Sequence, residues 1–275
     1  MLEAIIEKVR KFVDDSPENY FSKEESIKDG MEGMRIWREP VFAVGDANDS
    51  QFQALRDPEV LHPDVMLPEE WVPGAKTVIS FMLHFTDEII AANAAEPVKA
   101  SPEWILGTAY GQRFLLKTAT YIKELLEEAG YEAAVPSADA RFKMVANRVS
   151  CWSERHVANV CGLGTFSLTR GLITEKGMAG RIGSVVTTAP LEVTGRKYTD
   201  AFEYCTMCGL CASRCPAGAI DISRGIKHAK DNQICSDYIT SICKEYQGMG
   251  SLHFSGSGKC QVDLPCTNGI PVKLR

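Results

Sequence analysis

Nowhere does this 275-residue chain gather the roughly 20 uninterrupted apolar residues that a membrane-spanning helix needs, so no such helix is expected. It also lacks a basic run. The 30 Lys and Arg against 36 Asp and Glu give a net charge of -6 spread along the chain, so charge makes no case for nucleic-acid binding. Internal repeats and low-complexity segments are missing, which excludes solenoids and repetitive tails. The opening MLEAIIEKVRKFVDD has neither an apolar signal core nor a twin arginine, so a cytoplasmic protein with reduced thiols is expected. What remains is a chain with 45% apolar residues, enough to bury a sizeable core in one large domain or two.

Cysteine is what the chain has in quantity. The run Cys205-Thr-Met-Cys208-Gly-Leu-Cys211-Ala-Ser-Arg-Cys215-Pro216 has the Cys-x-x-Cys-x-x-Cys-x-x-x-Cys-Pro spacing of the bacterial ferredoxin cluster motif. Three thiolates at that spacing wrap one corner of an iron-sulfur cube. The fourth, held by the following proline, turns toward a second cluster, so one motif predicts two 4Fe-4S clusters. Structural zinc wants two separated pairs of ligands and disulfides want an oxidising compartment, and neither suits four cysteines packed this closely.

Cys235, Cys243, Cys260 and Cys266 lie downstream and complete the eight thiolates that two cubanes need. The last cysteine of each half crosses over in such modules. This assigns Cys205, Cys208, Cys211 and Cys266 to the first cluster, and Cys215, Cys235 and Cys260 to the second. The usual Cys-x-x-Cys before the final ligand reads Ser257-Gly258-Lys259-Cys260, which leaves the fourth ligand of the second cluster open. It is either Cys243, on a segment after Cys235 that reads as helical, or an exchangeable site with no thiol.

Leu2, Ile5, Ile6, Val9, Phe12 and Val13 recur at helical spacing and predict an amphipathic N-terminal helix. An irregular, proline-dotted stretch follows to about Pro73, and residues 76–86 read as a buried strand. Ser101-Pro102-Glu103 supplies an N-cap, a first-turn proline and a first-turn acid for a long helix ending near Gly130. A short strand is expected from Tyr131 to Val135, then a helix opened by Ser153-Glu154-Arg155 and stopped at Gly162-Leu163-Gly164, then one or two strands over residues 181–194. The interleaving predicts an α+β domain over residues 1–195 and a cluster module over residues 196–275. Gly162 and Gly164 either let backbone amides approach a flat or anionic cofactor or cap the preceding helix. Gly171, Gly177, Gly180 and Gly183 extend the glycine-rich stretch.

In order and content, residues 152–189 (WSERHVANVCGLGTFSLTRGLITEKGMAGRIGSVVTTA) followed by the ferredoxin motif resemble the epoxyqueuosine reductases and their shorter relatives. These carry a Trp-Ser-Glu-Arg-His segment, a Gly-Leu-Gly-Thr-Phe turn, a Gly-Leu-Ile-Thr run and a Gly-Ser-Val-Val strand in that order, and they are related to reductive dehalogenases. The likeness covers about residues 75–270. It implies a nitroreductase-like N-terminal domain before a ferredoxin-like one, with cobalamin bound, its lower base detached, around Gly162, Leu163, Gly164, Thr165, Phe166, Arg170, Gly183 and Ser184. It further implies electrons supplied by an external donor such as a flavodoxin or ferredoxin, and a reducible small molecule or modified nucleoside above the corrin ring.

In that family an aspartate six residues before the Glu-Arg pair is thought to protonate the substrate, and the matching position here is Arg148. Proton donation then falls to Glu154 or His156, with Asp139 a further acid nearby, and the substrate need not be epoxyqueuosine in tRNA. Both residues also have structural readings, an acid at a helix start and a hydrogen-bonded imidazole. His62 and His84 read as structural, Cys151 and Cys161 as buried thiols, and Tyr110 as core. Trp152 and Phe166 either stack on a planar ligand or pack, and Arg170 and Arg181 suit phosphate or carboxylate groups. The combined expectation is an iron-sulfur reductase. An electron carrier with no substrate of its own, or an activator that reduces a corrinoid for another enzyme, are the alternatives.

Overall fold

The computed structural model describes residues 1–245 and 256–272; the side chain of Cys243 and residues 246–255 lie outside the described residues. Helix α1 (Leu2–Asp15) buries Ile5, Val9 and Val13. Strand β1 (Val41–Asp46) and the short helices α2 (Ser50–Ala54) and α3 (Pro68–Trp71) follow. Next come β2 (Thr77–His84), α4 (Asp87–Ala95) and the long α5 (Pro102–Glu128). The start of α5 is fixed by Ser101, whose Oγ accepts the Trp104 amide at 3.2 Å, and by Pro102, whose missing N–H costs nothing in a first turn. Only Ala133–Ala134 of the expected short strand pairs, as β3. A hairpin of β4 (Met144–Ala146) and β5 (Val149–Ser150) leads to α6 (Glu154–Cys161), the pair β6 (Thr165–Phe166) and β7 (Leu172–Ile173), and β8 (Gly180–Thr187). Helices α7 (Leu210–Ser213) and α8 (Asn232–Glu245) lie in the cysteine-rich region.

Strands β1-β2-β8-β3 form one antiparallel sheet in that order, with Phe81 opposite Gly183 and Ser80 opposite Ser184. Because β2 is central and covered on both faces, every one of its residues is buried, which is why it reads as an unbroken apolar run rather than an alternation. Ile79, Phe81, Leu83 and Val185 face α1, α4 and α5, while Val78, Met82 and Val186 face α6. The stretch before Pro73 holds more order than its prolines indicate. VFAVGD forms the edge strand β1, and its Gly45 leaves room for α6, since a Cβ there would lie 2.8 Å from Cys161 Sγ.

The cysteine-rich region is stitched to the rest of the chain rather than appended to it. The Met178 amide donates to the carbonyls of Cys266 and Thr267 at 3.1 and 3.2 Å, and Leu168, Ile173 and Met178 pack with Cys211, Ile220 and Leu264. Residues 257–259 dock on α4 and α5. Asn93 Nδ2 donates to Ser257 O at 3.1 Å, Gly258 adopts φ 68° flat against the Trp104 indole, and Lys259 Nζ, fully buried, donates to the carbonyls of Asn93 and Glu96 at 2.6 Å each. An ammonium there satisfies carbonyls that the C-terminus of α4 leaves unpaired. The segment in which a ferredoxin carries an additional cysteine is thus occupied by an anchor. Among the described residues no helix is long and apolar enough to cross a membrane.

Candidate functional site

Cys205, Cys208, Cys211 and Cys266 line one cavity, closed on its other sides by Ser167, Leu168, Thr169 and Ile173 and by Leu264, Pro265 and Pro271. The loop that delivers the first three winds through left-handed backbone at Met207 (φ 58°) and Gly209 (φ 76°) before α7 begins. Cys208 is exposed, Cys211 buried and the other two half-buried. Among the described residues no three His, Cys, Asp or Glu side chains converge on a point as a single metal ion requires. Four sulfurs spread around a cavity suit a cube instead. Burial, with Cys260, Cys205 and Cys208 adding to it, pushes the Cys211 and Cys266 thiols up to about 12, so iron binding at these sulfurs displaces protons.

The remaining sulfurs gather around Cys260. Burial raises its thiol, and the thiols of Cys215 and Cys235 raise it further. Cys215 Sγ accepts the Ala219 amide at 3.4 Å, and Cys235 sits in the first turn of α8. Three described thiols therefore form the second group, next to the first through Cys260.

The wall Ser167–Thr169 continues into Arg170 and an open concavity beside the starts of α6 and β8. Solvent reaches Arg155 and, in part, Glu154, His156 and Arg181, while protein crowds each closely enough to desolvate it. Ser184 Oγ donates to Glu154 Oε2 at 2.6 Å and accepts Trp152 Nε1 at 2.9 Å. Glu154 Oε1 is enclosed and has no hydrogen-bond partner. Burial pushes this carboxyl up to about 7, with Ser184, Ser137 and Trp152 offsetting part of the effect. His156 shares a 2.8 Å hydrogen bond between Nδ1 and Ser153 Oγ, and its ring lies 4.8 Å from that of Phe166. Burial and the charges of Arg155 and Arg170 lower it to about 3, so it is neutral at physiological pH. Arg148 occupies the β4–β5 turn with φ 58°, and its guanidinium reaches Ser236 on α8.

The glycine turn is occupied by protein. Gly162 ends α6 with φ 94°, and a Cβ on it would meet Gly195 O at 2.5 Å; a Cβ on Gly164 would meet Ile173 O at 2.1 Å. Leu163 is buried in the core, Thr165 Oγ1 accepts the Tyr204 amide at 2.9 Å, and Gly183 lies against Phe81 and Leu115. Phe166 packs on Phe202, Ser184 is held by Trp152 and Glu154, and Arg170 Nη2 donates to Lys227 O at 3.2 Å. Asp139 is chelated by Arg141, which lowers its carboxyl to about 2 and leaves it no proton to give at neutral pH. His84 is buried with Nε2 on Thr174 Oγ1 at 2.9 Å, Cys161 is buried against Val78 O, and Arg181 bonds Gly180 O and Thr108 Oγ1. Sequence reasoning missed the Trp152–Ser184–Glu154 chain, which joins two segments through a strand register that no local motif encodes.

The 4Fe-4S binding domain family matches residues 200–221. No curated protein matches the sequence. Among solved structures, a selenomethionine-labelled epoxyqueuosine reductase superposes with a TM-score of 0.55 at 15% identity, over 100% of this chain and 67% of its own. The epoxyqueuosine reductase of Streptococcus thermophilus does so with 0.54 at 15%, over 100% and 68%. A catabolic reductive dehalogenase gives 0.51 at 15%, over 84% of this chain but only 30% of its own. The chain thus spans about two thirds of the length of the epoxyqueuosine reductases it resembles. It has the fold that epoxyqueuosine reductases and reductive dehalogenases share, and it carries a 4Fe-4S binding domain within it.

Proposed function

We propose that this chain is an iron-sulfur reductase in which a two-cluster module, residues 196–275, passes single electrons to an acceptor held by a nitroreductase-like domain, residues 1–195. The observation that supports this most is the cavity lined by Cys205, Cys208, Cys211 and Cys266, because its wall is the segment that runs on into the concavity. Those four thiols hold the first 4Fe-4S cluster. Cys215, Cys235 and Cys260 hold the second, with Cys243 as its fourth ligand. An external one-electron donor protein such as a flavodoxin or ferredoxin supplies the electrons.

The acceptor proposed is a corrinoid, on the strength of the fold. The residues fit such a group at its periphery, where Arg181 at the start of β8 offers donors to amide groups, whereas the glycine turn is filled by protein. A bound corrinoid supplies low-valent cobalt as the reductant. Glu154 supplies the proton.

Anaerobic reconstitution with iron, sulfide and cobalamin tests the proposal through bound metal and electron paramagnetic resonance. About eight irons with a base-off cobalt signal is the expected outcome. About eight irons without retained cobalt would reduce the protein to an electron carrier, and fewer than about four would remove the clusters from the proposal.

A further inference from the structure

We infer that the concavity binds an oxyanion, a carboxylate or phosphate group of the molecule reduced there, through Arg148, Arg155 and Arg170. This deepens the reductase proposal, which it takes as the use of the site.

Among the described residues, nine other arginines have a carboxylate within salt-bridge distance: Arg10, Arg35, Arg38, Arg56, Arg113, Arg141, Arg196, Arg214 and Arg224. Arg148, Arg155 and Arg170 have none among the described residues. Their guanidinium groups bond only neutral oxygens, those of Ser236 Oγ, Arg170 O and Lys227 O. Arg155 Nη1 lies on Arg170 O at 2.8 Å, and burial, followed by the charges of Arg170 and Arg148, lowers the basicity of Arg155. Such crowding of like charge is unfavourable unless something negative sits among it.

No described protein group supplies that charge. Glu154, the acid at this place, turns Oε2 to Ser184 and is pushed toward its neutral form, and His156 is neutral. The first turn of α6 adds donors, because Ser153 makes no side-chain cap: its Oγ is spent on His156 Nδ1. Uncapped amides beside guanidinium groups favour an anion. Arg148 and Arg170 both hold left-handed backbone, at φ 58° each, a conformation that costs a non-glycine residue about 1–2 kcal/mol and recurs at ligand clamps.

Isothermal titration calorimetry on the reconstituted full-length protein, with benzoate, phenyl phosphate and neutral benzamide as probes, tests the inference without turnover. At least one anion is expected to bind roughly tenfold or more tightly than benzamide, with benzoate and phenyl phosphate separating the two sources of charge. Arg148→Gln and Arg170→Gln should each lose roughly tenfold or more of that affinity, Arg148→Lys should recover part of it, and Arg113→Gln should lose none. Equal binding of the neutral and charged probes, or affinity unchanged in both glutamine variants, would overturn the inference. Iron and cobalt contents of the same preparations report on the reductase proposal separately, so anion binding by a protein that retains no cobalt would leave the inference standing and that proposal refuted.

Discussion

Replacing Gly258 by alanine should loosen the seat of Cys260 and Cys266, the last two of the proposed cluster ligands. Gly258 has φ 68°, and an alanine Cβ would stand 2.0 Å from Trp104 Cε2 and 2.2 Å from Cζ2. The indole cannot step aside: it is fully buried, tilted against Phe85 at 4.5 Å, and held by Nε1 donating to Gly256 O at 3.1 Å. The left-handed conformation costs about 1–2 kcal/mol for alanine, and overpacking a filled core site about 1–3 more, so about 2–5 kcal/mol in all. With an unfolding entropy of about 2.1 cal/mol/K per residue, that range lowers Tm by about 3–9 °C for a chain of this length melting as one unit. Gly130→Ala is the control, since Gly130 ends α5 in left-handed backbone (φ 86°) with nothing within 4 Å of a new Cβ. Differential scanning calorimetry of both variants separates the steric part from the backbone part, and iron analysis should show less metal in Gly258→Ala alone. If Gly258→Ala melts within a degree of Gly130→Ala, the packing argument is wrong.

Cys205→Ser or Cys266→Ser should each halve the iron bound after reconstitution, while Cys151→Ser, at a buried thiol outside both groups, should leave it unchanged; colorimetric iron assay decides. Glu154→Gln should lower turnover roughly 100-fold or more with metal content intact, and wild-type turnover should fall as pH rises through about 7, where the carboxyl loses its proton. The same residue sets a sign for stability. A buried acid whose folded pKa is raised favours the folded state below its ordinary value of 4.5, and that contribution is lost as pH climbs toward about 7. Urea titrations at several pH values should therefore show a decline between these limits that Glu154→Gln flattens.

Features confined to one stretch of chain were legible in the sequence. The Ser101-Pro102 start of α5 is local capping chemistry, and β2 announces itself because its burial on both faces demands an apolar run. The cysteine spacing carried the 4Fe-4S binding domain for a similar reason, since most of a ferredoxin motif's thiols come from one short loop. Edge strand β1 has strand-favouring residues in Val41, Phe42 and Val44 and was obscured by the prolines around it, while the approach of Cys161 to Gly45 depends on packing that no local pattern encodes. Gly162 and Gly164 were legible as special backbone but not as to what approaches them, which proved to be Gly195 and Ile173. The Trp152–Ser184–Glu154 chain and the arginine cluster depend on segments that only the sheet register and the α8 contact bring together.

The anchor at Ser257–Lys259 bears on the order in which the protein can be completed. Cys260 and Cys266 are carried on a strand of chain whose footing, the Trp104 indole and the carbonyls of Asn93 and Glu96, exists only after α4 and α5 have packed. Metal delivered to these sulfurs therefore meets a chain whose first half is already built. On the proposed ligand assignment, cluster assembly becomes a checkpoint on the packing of α4 and α5, and a severed C-terminal fragment would be a poor recipient of iron even with every cysteine present.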